Sequence, residues 1–286
     1  MTAAPPAAPA GTRERLAAQD VTVRFGGIVA CNNVSLSVPA ASIVGLIGPN
    51  GAGKSTLFSV LSGLRRPTRG RVRIDGADVT GSPPQARVRR GLSRTFQHPE
   101  MFDELSVRDH MVLADRVRSG TRRVWTDVVT GRGFKRPSPG EDQRVDALLG
   151  SLGLSRIAHA PVGALPLGLT RLVELGRALA AEPSVLLLDE PSSGLDTAET
   201  AEVVTVLRRV VAERGVSLLL VEHDVELVMD LCSRIYVLDF GYLIAAGTPQ
   251  EVRADPAVRA AYLGTEKEQL DQAVPRPTAD LNQEME

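Results

Sequence analysis

The chain has 286 residues, a formal net charge of −1 and only two cysteines. This length suits one large α/β domain, or a domain with a subdomain. The near-zero charge argues against nucleic acid as a partner, and two distant thiols favour a reducing compartment over a disulfide framework. No apolar run is long enough to cross a bilayer. The composition therefore predicts a cytoplasmic protein without a membrane span of its own.

The predicted domain runs over residues 16–264. Residues 1–15 are rich in Ala and Pro, and residues 265–286 are polar and mostly acidic. Segments of this kind bury too little apolar surface to offset the entropy of ordering. Both are predicted to be disordered, and folding is expected to begin near Leu16.

The first predicted elements form an antiparallel β patch. Val21–Phe25 alternates apolar and polar residues in the manner of an edge strand, and residues 28–38 return after a Gly-Gly turn. Phe25 has two open interpretations. Its ring could stack on a nucleobase, or it could pack in the core at the end of the strand.

A glycine-rich motif at residues 48–56 is typical of nucleotide triphosphate binding. Its glycines allow positive φ angles and let backbone N–H groups approach phosphates closely. Lys54 is expected to reach the terminal phosphates, and the Ser55 hydroxyl to hold one Mg²⁺ position. The candidate nucleotide-binding residues here are Gly48, Pro49, Asn50, Gly51, Ala52, Gly53, Lys54, Ser55 and Thr56.

The flanks of this motif support that interpretation. The apolar run 42–47 predicts a buried parallel strand before it. Four leucine and valine residues then recur at helical spacing, so a helix N-terminus is expected to point at the anion. They are Leu57, Val60, Leu61 and Leu64.

The middle of the chain holds several predicted elements. Residues 71–76 form a strand ending in an Asp-Gly turn, residues 84–90 a short helix, and Ser106 with Asp109 begins another helix. Gln97 ends a predicted strand, where it could orient a water or complete a metal shell, or simply face solvent. The basic stretch 116–144 is interpreted as a solvated excursion, with a surface near lipid head groups as the alternative.

Two buried strands end in polar side chains. Residues 184–188 lead into Asp189 and Glu190, and residues 216–221 lead into Glu222, His223 and Asp224. Ligands bind at the carboxyl ends of strands in open α/β sheets. Asp189 therefore suits Mg²⁺ through a water, Glu190 suits a general base on attacking water, and His223 is placed to contact a γ-phosphate.

In order and approximate spacing, these motifs, with Gly194-Leu195-Asp196, resemble the ATP-binding subunits of ABC transporters. The resemblance covers about Leu16 to Gly264. The segments 94–97 and 221–224, and the end with 247–249 and 261–264, look like the high-affinity branched-chain amino acid importer branch. Lipopolysaccharide-export ATPases share the Tyr-Leu-Gly end, but the Arg-Thr-Phe-Gln of residues 94–97 favours the importer. The alternatives are an ATPase of a lipid or polysaccharide exporter, or a soluble ABC-type ATPase.

The resemblance implies an α/β P-loop NTPase (RecA-like) core, with an N-terminal antiparallel β patch and an α-helical subdomain inserted at about 98–179. It implies ATP hydrolysis with Mg²⁺, with Glu190, His223 and Gln97 as catalytic residues and Ser55, Gln97 and Asp189 at the metal. It also implies a location on the inner face of the cell membrane. The implied partners are a second ATPase subunit, two permease subunits and a solute-binding protein.

One loop departs from the family pattern. Where the family has Leu-Ser-Gly-Gly-Gln, this chain has Leu165-Pro166-Leu167-Gly168-Leu169. In the family this signature loop reaches the ATP bound by the partner subunit, so Gly168 is a further candidate nucleotide-binding residue. Leu167 and Leu169 replace polar contacts, which predicts an asymmetric dimer with a different ATPase chain.

Overall fold

The computed structural model describes residues 13–95, 101–118 and 138–262. The strands are β1 Glu14–Phe25, β2 Ile28–Pro39, β3 Ile43–Ile47, β4 Arg69–Ile74, β5 Ala77–Asp78, β6 Leu92–Arg94, β7 Val185–Asp189, β8 Ser217–Val221, β9 Arg234–Asp239 and β10 Tyr242–Gly247. The helices are α1 Lys54–Ser62, α2 Pro84–Val88, α3 Val107–Arg118, α4 Pro139–Leu152, α5 Leu167–Ala180, α6 Thr197–Arg214, α7 Val225–Leu231 and α8 Pro249–Ala254.

The larger sheet has six strands in the order β10-β9-β3-β8-β7-β6. The pairs from β9 to β6 are parallel, whereas β10 pairs antiparallel with β9. Strands covered on both faces are expected to be continuous apolar runs, and β3, β7 and β8 are buried along their whole length. The carboxyl ends of β3, β6, β7 and β8 consequently share one edge of the sheet.

The smaller sheet has four strands in the order β2-β1-β4-β5, all antiparallel. The prediction of an edge strand at 21–25 is wrong, because β1 lies between β2 and β4. Alternation reports that one face of a strand is buried, and it carries no information about how many neighbours the strand has. The strand also begins at Glu14, two residues before the predicted boundary at Leu16.

Helix α1 lies between the two sheets. Leu57, Phe58 and Leu61 are fully buried in a cluster that includes residues of both sheets, such as Leu36 and Leu187. Burying an aromatic or leucine side chain contributes roughly 1.5–3 kcal/mol, so this packing holds the N-terminus of α1 in a fixed place.

The predicted helix after the glycine-rich motif is shorter than its apolar spacing suggests. Gly63 adopts a left-handed φ of 84° directly after Ser62 and ends α1 there. Leu64 lies beyond that turn and is 57% exposed. The prediction that Leu64 belongs to the apolar face of this helix is therefore wrong.

Helices α3, α4 and α5 cover the other face of the larger sheet. Met111 and Leu152 approach Gly176 so closely that a Cβ there would lie 2.6 and 2.8 Å from their side chains. The same hydrophobic cluster contains Leu186 and Leu188 of β7. These helices therefore share one core with the sheet, and the boundaries of a subdomain at 98–179 stay a prediction.

Several local signals are confirmed as predicted. Residues 74–77 turn at Asp75-Gly76, where both residues have positive φ. The Ser106 hydroxyl donates to the Asp109 carboxylate over 2.5 Å and accepts from the Asp109 amide over 3.1 Å. Asp196 and Glu199 form the equivalent reciprocal pair at the start of α6.

Some predictions fall outside the described residues. They concern Gln97, the part of the basic stretch at 119–137, and the segments 1–12 and 263–286. Within the ranges that the structure covers, no helix is both long and apolar enough to cross a membrane.

Candidate nucleotide-binding site

The glycine-rich loop 48–53 connects β3 to α1 and is built against neighbouring backbone. Gly48, Gly51 and Gly53 have φ angles of 151°, 79° and 102°, as predicted for this motif. A Cβ at Gly48 would collide with the carbonyl oxygen of Leu238, and a Cβ at Gly53 with that of Ala30. Glycine is therefore required there both for backbone conformation and for space.

The turn after β9 supports the same loop. The Gly241 amide donates to the carbonyl of Ala52 over 3.0 Å, and the Asn32 amide donates to the carbonyl of Gly241 over 2.8 Å. A chain of backbone hydrogen bonds thus ties the loop to β2 and to the β9–β10 hairpin.

Lys54 points back over the loop. Its Nζ donates to the carbonyl oxygens of Gly48 and Pro49 over 2.6 and 2.9 Å. Burial lowers the pKa of Lys54, while the charges of Glu190 and Asp189 act in the opposite direction. The two carboxylates are thus close enough to act electrostatically on the lysine, so the structure brings these three predicted site residues together.

Asp189 lies at the end of β7 and is 8% exposed. Its Oδ2 atom is 2.9 Å from Nη2 of Arg94, and its amide donates to the Thr95 hydroxyl over 3.4 Å. Arg94 also donates to the Ser62 hydroxyl at the end of α1 over 3.1 Å. Arg94 is thus an orienting group whose structural role the sequence reasoning did not identify.

Glu190 follows Asp189 with a left-handed φ of 48°. A non-glycine residue in that region carries a backbone cost of about 1–3 kcal/mol, which must be offset by surrounding contacts. Its amide donates to the carbonyl of Val221 over 2.9 Å, and its own carbonyl accepts from Ser193 over 3.1 Å. The glutamate therefore sits in a tight turn at the sheet edge.

His223 lies just beyond β8, the strand next to β7. Its side chain is 64% exposed, and its Nδ1 atom is 3.8 Å from the Glu222 carboxylate. It lies at the same sheet edge as Asp189 and Glu190, as predicted, because β7 and β8 pair in parallel with Asp189 opposite Val221.

The oxygen ligands in this region fit Mg²⁺ only in combination with a nucleotide. Among the described residues no cluster of three or more His, Cys, Asp or Glu side chains forms a metal cage. A hydroxyl at Ser55 and one carboxylate at Asp189 match the way Mg²⁺ is held by one or two protein ligands plus phosphates and water.

Phe25 ends β1 and is 41% exposed, so it does not lie in the core. The guanidinium carbon of Arg65 is 4.1 Å from the centre of its ring. Phe25 pairs with Ile28 at the tip of the hairpin whose second strand carries Ala30, the residue beside Gly53. This places the ring on the hairpin beside the loop, and contact with a nucleobase stays a prediction.

Tyr262 comes from the far end of the described chain. It packs against the hydrophobic cluster under the sheet. Burial raises the pKa of Tyr262 to about 12, and a hydrogen bond with the Gly48 backbone opposes that rise. The segment around Tyr262 thus reaches the first glycine of the loop.

The signature loop is tied down by the next helix. The Gly168 amide donates to Oε1 of Glu199 over 3.3 Å, while Oε2 of Glu199 accepts from the Asp196 amide over 3.2 Å. A Cβ at Gly168 would lie 2.8 Å from the Glu199 carboxylate. The backbone amide of Gly168, a candidate nucleotide-binding residue, therefore already has an acceptor within the chain.

The leucines of this loop differ in their surroundings. Leu167 is 42% exposed, and a Cβ at Gly194 would lie 3.0 Å from its side chain. Leu169 is partly buried against the main core. Arg171, one turn further, donates to the carbonyl of Ser193 over 3.4 Å. The start of α5 is thus joined to the turn after β7, which no local sequence signal indicates.

Known families match this chain over most of its length. The ABC transporter family matches residues 31–193, and the branched-chain amino acid ATP-binding cassette transporter family matches residues 243–268. A crystal structure of the ADP conformation of an ATP-binding cassette of an ABC transporter superposes with a TM-score of 0.78 at 29% identity, covering 88% of this chain and 100% of that one.

The curated relatives agree with these matches. The high-affinity branched-chain amino acid transport ATP-binding protein BraF of Pseudomonas aeruginosa is 36% identical over 259 residues, covering 88% of this chain and 99% of that protein. The protein LivG of Escherichia coli, with the same description, is 36% identical over 249 residues, with 87% and 97% covered. The lipopolysaccharide export system ATP-binding protein LptB of Acidithiobacillus ferridurans is 35% identical over 253 residues, with 88% and 97% covered.

These matches confirm the P-loop NTPase fold that the motifs predicted. They also extend through both the glycine-rich loop and the strand that ends in Asp189 and Glu190. The chain therefore belongs to the ABC transporter ATP-binding family, and it is a nucleotide-binding ATPase subunit of the ABC type.

Proposed function

We propose that this chain uses ATP hydrolysis to energise the import of branched-chain amino acids. The observation that carries the solute class is the match of residues 243–268 to a family specific to branched-chain amino acid transporters. The same segment contains Tyr262, which contacts the nucleotide loop at Gly48. The relatives BraF and LivG, both described as branched-chain amino acid transport proteins, support the same solute.

The proposed roles of the site residues are supported by the placement of Asp189, Glu190 and His223 at one sheet edge near Lys54. Gln97 lies outside the described residues, and its role rests on the family resemblance alone. Lys54 and the loop amides bind the phosphates, and Ser55, Asp189 and Gln97 hold Mg²⁺, which when bound neutralises phosphate charge. Glu190 accepts a proton from water as the water oxygen attacks the γ-phosphorus and the bond to ADP breaks. His223 contacts the γ-phosphate from the neighbouring strand.

The proposed assembly contains further subunits. A second ATPase chain closes on this one, two permease subunits span the membrane, and a solute-binding protein delivers the substrate. The ATPase then lies on the cytoplasmic face of the cell membrane as a peripheral subunit. Closure of the two ATPase chains around ATP moves the permeases between inward and outward states.

Uptake by intact cells tests the solute. A strain lacking this chain is expected to lose high-affinity uptake of radiolabelled leucine, and the wild-type chain to restore it. The Lys54→Ala variant is expected not to restore it, whereas Arg66→Ala, which changes a cation outside the loop, is expected to do so. Unchanged leucine uptake in the deletion strain would contradict the proposal.

Export of lipid or polysaccharide is the second candidate. It is favoured by the 35% identity to a lipopolysaccharide export ATP-binding protein. Affinity purification of the chain from native membranes separates the two. Co-purification with a pair of multi-spanning permeases and recovery of a solute-binding protein support import, whereas co-purification with an outer-envelope export assembly supports export. Recovery of ribosomes or DNA would instead indicate a soluble ABC-type ATPase.

A further inference from the structure

The two segments proposed to act on the γ-phosphate are joined at the sheet edge by more than strand pairing. The last backbone bond between β7 and β8 runs from the Glu190 amide to the carbonyl of Val221 over 2.9 Å. Beyond that point the segments that follow β7 and β8 both leave the sheet. Glu190 enters a turn, and Glu222 leads into His223. The relative placement of Glu190 and His223 must then be set by other contacts.

Glu222 supplies those contacts. Its side chain is 0% exposed. Its Oε1 atom accepts hydrogen bonds from the Ser192 amide over 2.9 Å and from the Ser192 hydroxyl over 2.7 Å. Its Oε2 atom accepts from the His223 amide over 3.3 Å. One oxygen therefore binds the segment after Glu190, and the other binds the amide of the adjacent residue His223, which restrains the orientation of the carboxylate relative to His223.

The buried Glu222 carboxylate depends on its hydrogen-bond donors for stability. An ionised group buried from water is stable only when its oxygens are hydrogen-bonded. Burial raises the pKa of Glu222, and the bonds from Ser192 oppose that rise. The Glu222 carboxylate is thus stabilised by the amides of Ser192 and His223, and it fixes their positions in turn. Losing the carboxylate or its donors is expected to disturb the remaining partners.

Ser192 is well placed to transmit this restraint to Glu190. The Ser193 amide closes the turn on the Glu190 carbonyl over 3.1 Å, and Glu190 itself has a strained φ of 48°. A strained conformation persists only where the surroundings over-determine it. Ser192 lies inside that turn and is anchored to Glu222 by both its amide and its hydroxyl.

We propose that Glu222 is a positioning residue that fixes the general base Glu190 relative to His223 by binding both segments with one carboxylate. This role rests on the proposed function of Glu190 and His223 in hydrolysis. Glu222 does not touch the nucleotide and transfers no proton. Misplacement of a catalytic group by about 1 Å can lower a rate a hundredfold, so a rigid link of this kind has a measurable consequence.

Glu222→Gln is the main test variant. It keeps the shape of the side chain but replaces one acceptor oxygen with an NH₂ donor. Because both Ser192 and the His223 amide donate to Glu222, the glutamine side chain cannot satisfy both of them in the same geometry. Turnover by the full chain is expected to fall about tenfold or more, with ATP affinity within about twofold of wild type. Glu141→Gln is the matched control, because Glu141 of α4 is also a buried, hydrogen-bonded glutamate, paired with Arg116 of α3.

Ser192 provides a second, milder variant in case Glu222→Gln does not fold. Ser192→Ala removes the hydroxyl bond and keeps the amide bond, so a smaller loss of turnover is expected, about threefold. Ser192→Thr retains a hydroxyl and is expected to recover most of that loss. A loss that threonine does not recover would overturn the role of the Ser192 hydroxyl as the anchor.

Two readouts separate positioning from a general loss of stability. Amide hydrogen exchange at Ser192 and His223 is expected to speed up in Glu222→Gln and to stay unchanged in Glu141→Gln. In a Glu190→Gln background, Glu222→Gln is expected to have little further effect on turnover, because it acts through Glu190. Fully additive losses, or a drop in ATP affinity equal to the drop in turnover, would overturn the proposal. If Glu190→Gln itself has wild-type turnover, the proposed function of the site fails instead.

Discussion

The glycine-rich loop 48–53 and the signature loop 165–169 both present backbone at the start of a helix, yet their surroundings differ. In the first loop, Gly48 and Gly53 pack against the carbonyl oxygens of Leu238 and Ala30, whereas a Cβ at Gly51 would meet no atom within 4 Å. In the second, the Gly168 amide already donates to Glu199. The two helix starts therefore differ in their surroundings: the first has open space beside Gly51, whereas the second meets a carboxylate of its own chain, which competes with an anionic ligand.

The two loops also differ in charge. Lys54 brings a cation over the first loop, where it interacts with Glu190 and Asp189. In the second loop, Pro166 is the N-cap of α5 and provides no side-chain cap. The Gly168 amide there faces the negative charge of Glu199. A carboxylate at that place repels a phosphate, so the signature loop of this chain is expected to serve the opposite ATP poorly.

The strongest test of this asymmetry removes the lysine of the intact loop. In a mixed complex with the partner ATPase, Lys54→Ala in this chain is expected to abolish most of the ATP hydrolysis, because the site working against a normal signature loop is lost. Changing the general base of the partner chain is expected to cost much less. Steady-state phosphate release measures both. Equal losses from the two changes would show that the sites are equivalent.

A second test concerns the general base. Glu190→Gln is expected to leave ATP binding intact and to lower turnover at least about a hundredfold, since a positioned base contributes about 10²–10⁴. Nucleotide affinity and hydrolysis are measured side by side, with Glu141→Gln as a control for neutralising a glutamate away from the site. Unchanged turnover would remove Glu190 from the mechanism.

Restoring a polar side chain to the signature loop sharpens the comparison. Leu169→Gln provides a hydrogen-bond donor where the family pattern has glutamine, and it is expected to raise hydrolysis in the mixed complex about tenfold at most. A single donor to developing charge is worth a few kcal/mol, but Glu199 still opposes the phosphate here. Leu169→Met, which adds no donor, is the control. If both variants behave like wild type, the leucine does not limit the opposite site.

A further test lies outside both loops. Phe25→Ala is expected to weaken ATP binding by about 1–3 kcal/mol if the ring stacks on the base, by analogy with other base–aromatic contacts. Phe25→Tyr keeps the ring and is expected to bind like wild type. Isothermal titration with ATP and with inorganic triphosphate isolates the base contact. An equal loss for both ligands would assign Phe25 to shaping the loop.

Local sequence was sufficient for the elements whose determinants are local. The positive φ angles of Gly48, Gly51 and Gly53 and the reciprocal cap of Asp196 with Glu199 depend on a few adjacent residues. The strands ending at Asp189 and Val221 are recognisable from their continuous runs of apolar residues, which are buried along the whole strand. Because these signals are short-range, the sequence alone determined the nucleotide loop, the parallel core and the polar residues at its edge.

Only the tertiary structure decided how distant segments meet. The pairing of β1 with β4, the bond from Gly168 to Glu199 and the bridge from Ser192 through Glu222 to His223 each join residues about 30 or more positions apart. Periodicity reports burial and propensity, but it does not specify which partner fills a hydrogen bond. Glu222 looked like one polar residue after a strand, and the folded chain makes its two oxygens the link between two site segments.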